Sequence, residues 1–324
     1  MASACGGQAS RVARHARPRE PAPHRSHRRR GPRRPAGRRA RACDATVELV
    51  LHDGFAEPDR DEQAVANARA AAEDPAAVAY LGDFHSSQVA RTAPILGAAE
   101  LLQVAPVATQ VGLGGPTLVR LMPHDGVGAR AIAEWLASAG IDDALVVHDH
   151  DDDYGVPVGE MCVAALRKRG IAVRGRRVWD AEERPADDLE TAGAIVYAGV
   201  AGSGAVGLWQ DLHAARPDAW LIGTEGVAAP FLARGMSASA AARTRFFVAN
   251  RAPLAFYGFE AMRLILDAAG TAVGDRAAVA RAARATRDRR SIVGRYALDA
   301  DGHTPLGYGR LAVVDGSLAR DLPR

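Results

Sequence analysis

The stretch AVAYLGDFHSSQVARTAPILGAAELLQVAPVAT, residues 77–109, decides the fold. It opens on a short apolar run, AVAYLG, that lacks polar alternation and reads as a strand buried on both faces. Helical spacing follows from Ser87 to about Ala99, and LLQVAPV is a second buried strand. Strand, crossover helix and strand in this order make the unit of a parallel sheet. Outward from it the theme repeats. Upstream lie the strand TVELVLHD and the helix DEQAVANARAAAED, with Val65, Ala68 and Ala72 on its inner face. Downstream, TLVRLMP precedes the helix DGVGARAIAEWLASAG, closed by Gly140. DALVVHD precedes YGVPVGEMCVAALRKRG, AIVYAG precedes GAVGLWQDLHAARP, and AWLIG begins another unit. The fold class is therefore α/β. The count is too long for one sheet, so two doubly wound parallel-sheet lobes are expected. After the helix YGFEAMRLILDAAG, the tail SIVGRYALDADGHTPLGYGRLAVVDGSL reads as strands joined by Gly- and Asp-rich turns.

The 324 residues suffice for two cores, and the longest apolar runs fall short of the ~18 residues of a membrane span. Cys5, Cys43 and Cys162 form no metal signature, and Cys162 reads as a core thiol. Charge is sharply divided. Residues 1–43 carry 13 Arg against one acid, Glu20, while the remainder carries 28 basic against 37 acidic residues. The leader has no period and no apolar run, so it is expected to be disordered and is not a secretory signal. Lys168 is the only lysine beside 40 arginines, a bias of GC-rich coding DNA. A wrong start or out-of-frame translation accounts for residues 1–43, with an arginine-rich arm for nucleic acid as the alternative. Cys43 lacks the apolar segment that lipid anchoring requires.

Ligands of open parallel sheets bind beyond the carboxyl ends of strands. Ser86 and Ser87 start a helix there, either as caps or as donors to an anion at the positive end of the dipole. Pro106 removes a ladder donor, freeing the backbone after it, and Thr109 closes the turn or faces a ligand. In VVHDHDDDYG, His148, His150 and Asp151 to Asp153 are metal-ligand types, but no third partner stands at helical spacing and capping explains the aspartates. Tyr154 is an aromatic at a tight turn, and Glu225 in LIGTEGV stands just past a strand. Gly202, Gly204 and Gly207 match G-x-G-x-x-G, with Glu225 about 20 residues on, the best argument for a nucleotide-binding enzyme. No G-x-S-x-G or H-E-x-x-H occurs.

From about Thr46 to Leu318 the chain resembles the periplasmic substrate-binding proteins of ABC transporters, type I fold, in the leucine/isoleucine/valine-binding branch. The pieces that carry the resemblance, in family order, are LHDGFAEPDRDEQAVANA, YLGDFHSSQVA, AAELLQVAPVAT, RLMPHDGVGARAIAEWL, HDHDDDYG, IGTEGV, YGFEAMRLILDA and GRYALDADGH. The resemblance implies an extracytoplasmic binding protein, a monomer and not an enzyme. It would capture a branched-chain amino acid or related zwitterion or amide by hinge closure and hand it to an ABC permease. No cofactor, metal, catalytic residue or nucleic-acid partner is implied. A ligand sensor on the same fold, or an enzyme on a doubly wound scaffold, is the alternative.

By motif, the resemblance gives Ser86 the ligand carboxylate and the backbone of Val107 the ligand head. It sets Thr109 on the same zwitterionic end, Tyr154 as the aromatic of the second lobe and Glu225 against the ammonium. Phe84, His85, Ser87 and Ala201 flank the ligand, Ala201 standing where an aromatic is common and so enlarging the pocket. The implied division is a leader over 1–43, a first lobe over 44–122 plus 252–295, and a second over 123–251 plus 296–324. Hinge crossings fall at about 122–124, 250–252 and 295–300. The family's first strand and helix of lobe 1 should precede Thr46 and are expected to be missing. A chain made as written is expected to fold poorly or bind weakly.

Overall fold

A strand buried on both faces needs helices on both sides, and this chain supplies them in sequence order. The structure is a computed structural model that describes residues 9–15, 40–42, 45–54, 59–150, 154–179, 191–202, 204–249, 253–272 and 274–321, with side chains from Val47 onward. The strands and helices run β1 (Ala9–His15), β2 (Ala40–Ala42), β3 (Ala45–Asp53), α1 (Arg60–Glu73), β4 (Ala77–Leu81), α2 (Ser86–Ala98), β5 (Leu102–Ala105) and β6 (Leu118–Arg120). They continue with α3 (Asp125–Ser138), β7 (Asp143–His148), α4 (Gly155–Lys168), β8 (Ala172–Val178), β9 (Ala194–Ala198), α5 (Ala205–Ala215) and β10 (Trp220–Gly223). A 3-10 turn (Glu225–Val227), α6 (Pro230–Gly235), α7 (Ala238–Ala242), β11 (Thr244–Ala249), α8 (Leu254–Thr271) and α9 (Arg276–Arg284) follow. The tail is β12 (Arg289–Ser291), β13 (Gly294–Tyr296), β14 (Tyr308–Val314) and β15 (Ser317–Arg320).

The first unit holds Met1–Ala108, Gly112–Met122 and Leu254–Pro305. Its six-stranded sheet has the order β2-β3-β1-β4-β5-β6, with β4, β5 and β6 parallel. The central place corrects the sequence reading. A strand within residues 1–43 was not expected, yet β1 lies between β3 and β4, antiparallel to both, with Val12 opposite Val50 and Tyr80. β2 adds a short edge beside β3. The reason is that ladder bonds use only backbone N–H and C=O. The rows offered by β3 and β4 are satisfied by any extended segment, whatever its side-chain composition. β1 thus stands between β3 and β4, though antiparallel to both and not as a further strand of the parallel set. No helix precedes β3 among the described residues. Residues 1–8, 16–39 and 43–44, with Cys5, Glu20 and Cys43, lie outside them.

Helix α1 turns one position from the face read in the sequence. Ala64, Asn67, Ala68 and Ala71 are buried, whereas Val65 and Ala72 are both half-buried. The buried amide of Asn67 donates to the Asp53 carbonyl at 2.7 Å and accepts from Gln63 at 2.8 Å, a pairing that rotates the helix inward. Helix α9 closes the unit from far along the chain. The Arg276 guanidinium donates to the carbonyl of Ala72, left open at the end of α1, and to that of Ala77 at the start of β4, each at 2.9 Å.

The second unit holds Thr109–Val111, Pro123–Pro253 and Leu306–Arg324. Its seven strands are ordered β15-β14-β11-β10-β9-β7-β8; β11, β10, β9, β7 and β8 are parallel, and β14 and β15 run antiparallel. Alternate residues feed two cores. Ala144, Val146, Val196, Ile222 and Phe247 pack under α3 and α4. Leu145, Val147, Tyr197, Leu221 and Phe246 pack with Leu208, Trp209 and Leu232 of α5 and α6. This double coverage is why the strands read as unbroken apolar runs. Cys162 is buried in the first of these cores, as expected, and burial pushes its thiol up to about 12.

Two boundaries differ from the sequence division. Residues 296–305 pack with the first unit, since Thr304 Oγ1 donates to the Leu121 carbonyl at 2.7 Å and His303 Nε2 lies 3.0 Å from that of Leu113. Residues 109–111 group with the second, where the Asp125 N–H donates to the Thr109 carbonyl at 2.9 Å.

One buried ion pair fixes the β12–β13 hairpin on α8. Glu260, 1% exposed, accepts from Tyr296 Oη at 2.9 Å and from Arg289, whose Nη1 also lies 2.8 Å from Asp267. Removing the acid strands a largely buried cation. Glu260→Ala is expected to cost about 3–5 kcal/mol in urea unfolding, and Glu260→Gln less.

Candidate ligand-binding site

In the first unit the candidate residues follow β4 on a turn locked from beneath. Asp83 is buried; its carboxylate accepts from Tyr80 Oη and Thr92 Oγ1, each at 2.8 Å. Gln103 Nε2 donates to Thr92 Oγ1 at 2.9 Å and to the Gly82 carbonyl at 3.1 Å. Phe84, His85, Ser86 and Ser87 come next, all half-buried, with the Phe84 and His85 rings edge-on at 5.0 Å. The capping residue differs from expectation. His85, not a serine, is the N-cap of α2, and its N–H donates to Gln88 Oε1 at 3.2 Å. Ser86 and Ser87 are the first two helical residues. Gln88, the third helical residue, reaches back to the N-cap backbone and closes a capping box with His85. Ser87 Oγ donates to Asp61 of α1 at 3.2 Å. Val107 follows Pro106 beyond β5, and among the described residues none pairs with its N–H or C=O.

In the second unit the chain beyond β10 turns through Thr224 and Glu225. Gly226 N–H donates to Tyr154 Oη at 3.0 Å, and the Gly226 carbonyl accepts from Ala201 N–H at 2.9 Å. Tyr154 Oη donates in turn to Thr224 Oγ1 at 3.4 Å. A side chain at position 226 would meet the Gly199 carbonyl and the Tyr154 ring at 2.6 Å, so only glycine fits. Tyr154, Ala201 and Glu225, far apart in sequence, are thereby joined at one turn. Thr109 connects to the same place through Asp125, which lines a recess with Tyr154, Thr224, Glu225, Phe247 and Tyr308.

The electrostatics of the recess are acidic. Glu225 Oε2 accepts from the Ala249 N–H at 3.2 Å, and no cation pairs with Glu225 among the described residues. Burial pushes its carboxyl up to about 8; the Ala249 bond draws it down, and the negative charge of Asp125 adds to the rise. Burial, with the nearby acids, also holds the Tyr154 and Tyr308 phenols protonated.

Asp125 and Tyr308 were missed by the sequence reading. Asp125 stood inside RLMPHDGVGA, and its signal was an acid opening a helix beyond a strand. Tyr308, in the tail, had no local signal, because its place depends on the pairing of β14 with β11. The two discounted motifs fare as follows. His148 is buried, its Nδ1 2.8 Å from the Asp149 carbonyl. The described residues hold no metal-binding cluster, and Asp151 to Asp153 lie outside them. In the glycine motif, a side chain at Gly202 or Gly207 would meet no described atom within 4 Å. The close helix–strand packing for which a dinucleotide fingerprint needs its last glycine is not made there.

Residues 40–196 match the family described as receptor family ligand binding region. No curated protein matches the chain. Among solved structures, a substrate-binding protein of an ABC transporter from Desulfitobacterium hafniense, in complex with Leu, is 20% identical, covering 83% of this chain and 87% of that one at a TM-score of 0.71. The branched-chain amino acid transporter substrate-binding protein LivJ of Streptococcus pneumoniae, in complex with isoleucine, is 15% identical, covering 82% and 84% at 0.67. A solute-binding protein of an ABC transporter from R. palustris, in complex with benzoate, is 15% identical, covering 81% and 82% at 0.64. The shared feature is the fold.

The raised Glu225 carboxyl has a consequence for the ligand-free protein. Between its ordinary range near 4.5 and about 8 the folded state holds a proton that the unfolded state has released, so stability falls as pH rises across that window. Urea titrations at about pH 5 and about pH 8.5 should show this fall in the wild type, and Glu225→Gln should remove that part of it.

Proposed function

We propose that this chain, which carries the type I fold of ABC-transporter substrate-binding proteins, captures a small zwitterion outside the cytoplasm and delivers it to an ABC permease. The proposed ligand is a branched-chain amino acid or a close relative. The carrying observation is the recess of the second unit, where the Glu225 carboxylate is buried beside Asp125 and lacks a cation among the described residues. A buried acid of this kind is stabilised by a ligand ammonium and not by a ligand that brings only negative charge. In the first unit the start of α2 offers the Ser86 hydroxyl and helix N–H groups, the complement of a carboxylate. Fold relatives hold Leu, isoleucine or benzoate, and the acidic recess favours the amino acids. The chain acts as a monomer in this reading, and the ligand leaves chemically unchanged.

Calorimetric titration with leucine, isoleucine, benzoate and p-hydroxybenzoate tests the proposal. The expected result is one-to-one binding of an amino acid, recovered intact. Glu225→Gln should weaken it about 30-fold, as loss of one partner of a buried charge pair does, and Ser86→Ala about fivefold. Binding of the aromatic acids without the amino acids would overturn the reading.

A further inference from the structure

Tyr308 is a residue that neither the motif pieces nor the strand-end reading assigned. It reaches the recess by register. β14 pairs antiparallel with β11, and Tyr308 stands opposite Ala249, the residue whose N–H donates to Glu225. The phenol and the amide thus approach one carboxylate from adjacent strands. Room for the ring is made by α3. A side chain at Gly128 would lie 2.8 Å from Tyr308 Cε1, so the glycine and the tyrosine fit as a pair. The Tyr308 hydroxyl is buried, lines the recess, and completes no hydrogen bond of good geometry among the described residues. A buried hydroxyl left in this condition is costly, and the cost is offset when an acceptor turns toward it.

We propose that Tyr308 is a positioning residue of this recess, whose hydroxyl donates to the ionised Glu225 carboxylate and holds it ready for the ligand's ammonium. The inference rests on the reading of Glu225 as the acid that meets that ammonium. Besides Tyr308, the ionisable groups facing Glu225 are Asp125 from α3 and Tyr154 from the start of α4, while β11 contributes only a backbone N–H. Both Asp125 and burial oppose the charged form of Glu225; Tyr308 and Ala249 are the donors that favour it.

The test follows the Glu225 carboxyl directly by 13C NMR of glutamate-labelled, ligand-free protein, with the signal assigned by its absence in Glu225→Gln. Tyr308→Phe should raise the titration midpoint by about half to one pH unit, the size of one lost hydrogen bond to a carboxylate. It should weaken leucine binding about five- to tenfold at neutral pH. Gly128→Ala, which keeps the hydroxyl on the chain but displaces the ring that carries it, should move the midpoint the same way and serves if Tyr308→Phe does not fold. A midpoint unmoved in the folded variant would overturn the proposal, since loss of packing alone lowers stability without altering the proton affinity of Glu225. Should the wild type bind no amino acid while the midpoint still moves, the transport reading fails and the role of Tyr308 toward Glu225 stands.

Discussion

A carboxylate held in a recess with another acid and two phenols is the constraint from which the functional account proceeds. Taking a charge out of water costs several kcal/mol unless partners replace the lost solvation. Glu225 has one backbone donor, from Ala249, and the negative field of Asp125 works against it. In the ligand-free protein the recess therefore keeps a proton near neutrality. In the reading proposed here, a guest that brings positive charge relieves the conflict without one.

The architecture makes such a place possible by delivering residues from four separate elements to the end of one strand. β10 ends at Gly223 and passes into the turn that carries Glu225. The start of α4 brings Tyr154, the start of α3 brings Asp125, and β14 brings Tyr308 in register with β11. Gly226 permits the approach of Tyr154, and Gly128 that of Tyr308. In the first unit the equivalent strand end is built differently. There the Asp83–Tyr80–Thr92–Gln103 network is fully buried and anchors the turn that presents Ser86 on α2.

Most of the alternation was legible because both faces of each parallel strand are covered, and a short unbroken apolar run such as Ala194–Ala198 is what that double coverage demands. Cys162 and Glu225 could be placed for the same reason, one inside a helical core pattern and one just past a strand. Features that depend on partners distant in sequence were not legible. The inward turn of Asn67 answers a carbonyl at Asp53, and Tyr308 depends on strand register. The helix starts one residue earlier than Ser87, with His85 as its N-cap and Gln88 bonded back to the His85 N–H. β1 was invisible for a different reason: its place is secured by main-chain pairing with β3 and β4, which leaves no trace in side-chain pattern.

The most direct measurement is the number of protons released when leucine binds, obtained from binding enthalpies in buffers of different ionisation heat. With the Glu225 carboxyl near 8 in the ligand-free protein, and charged against the ligand's ammonium in the complex, close to one proton should leave at about pH 7. The release should disappear in Glu225→Gln. Leucine binding that releases no proton at that pH would contradict the account.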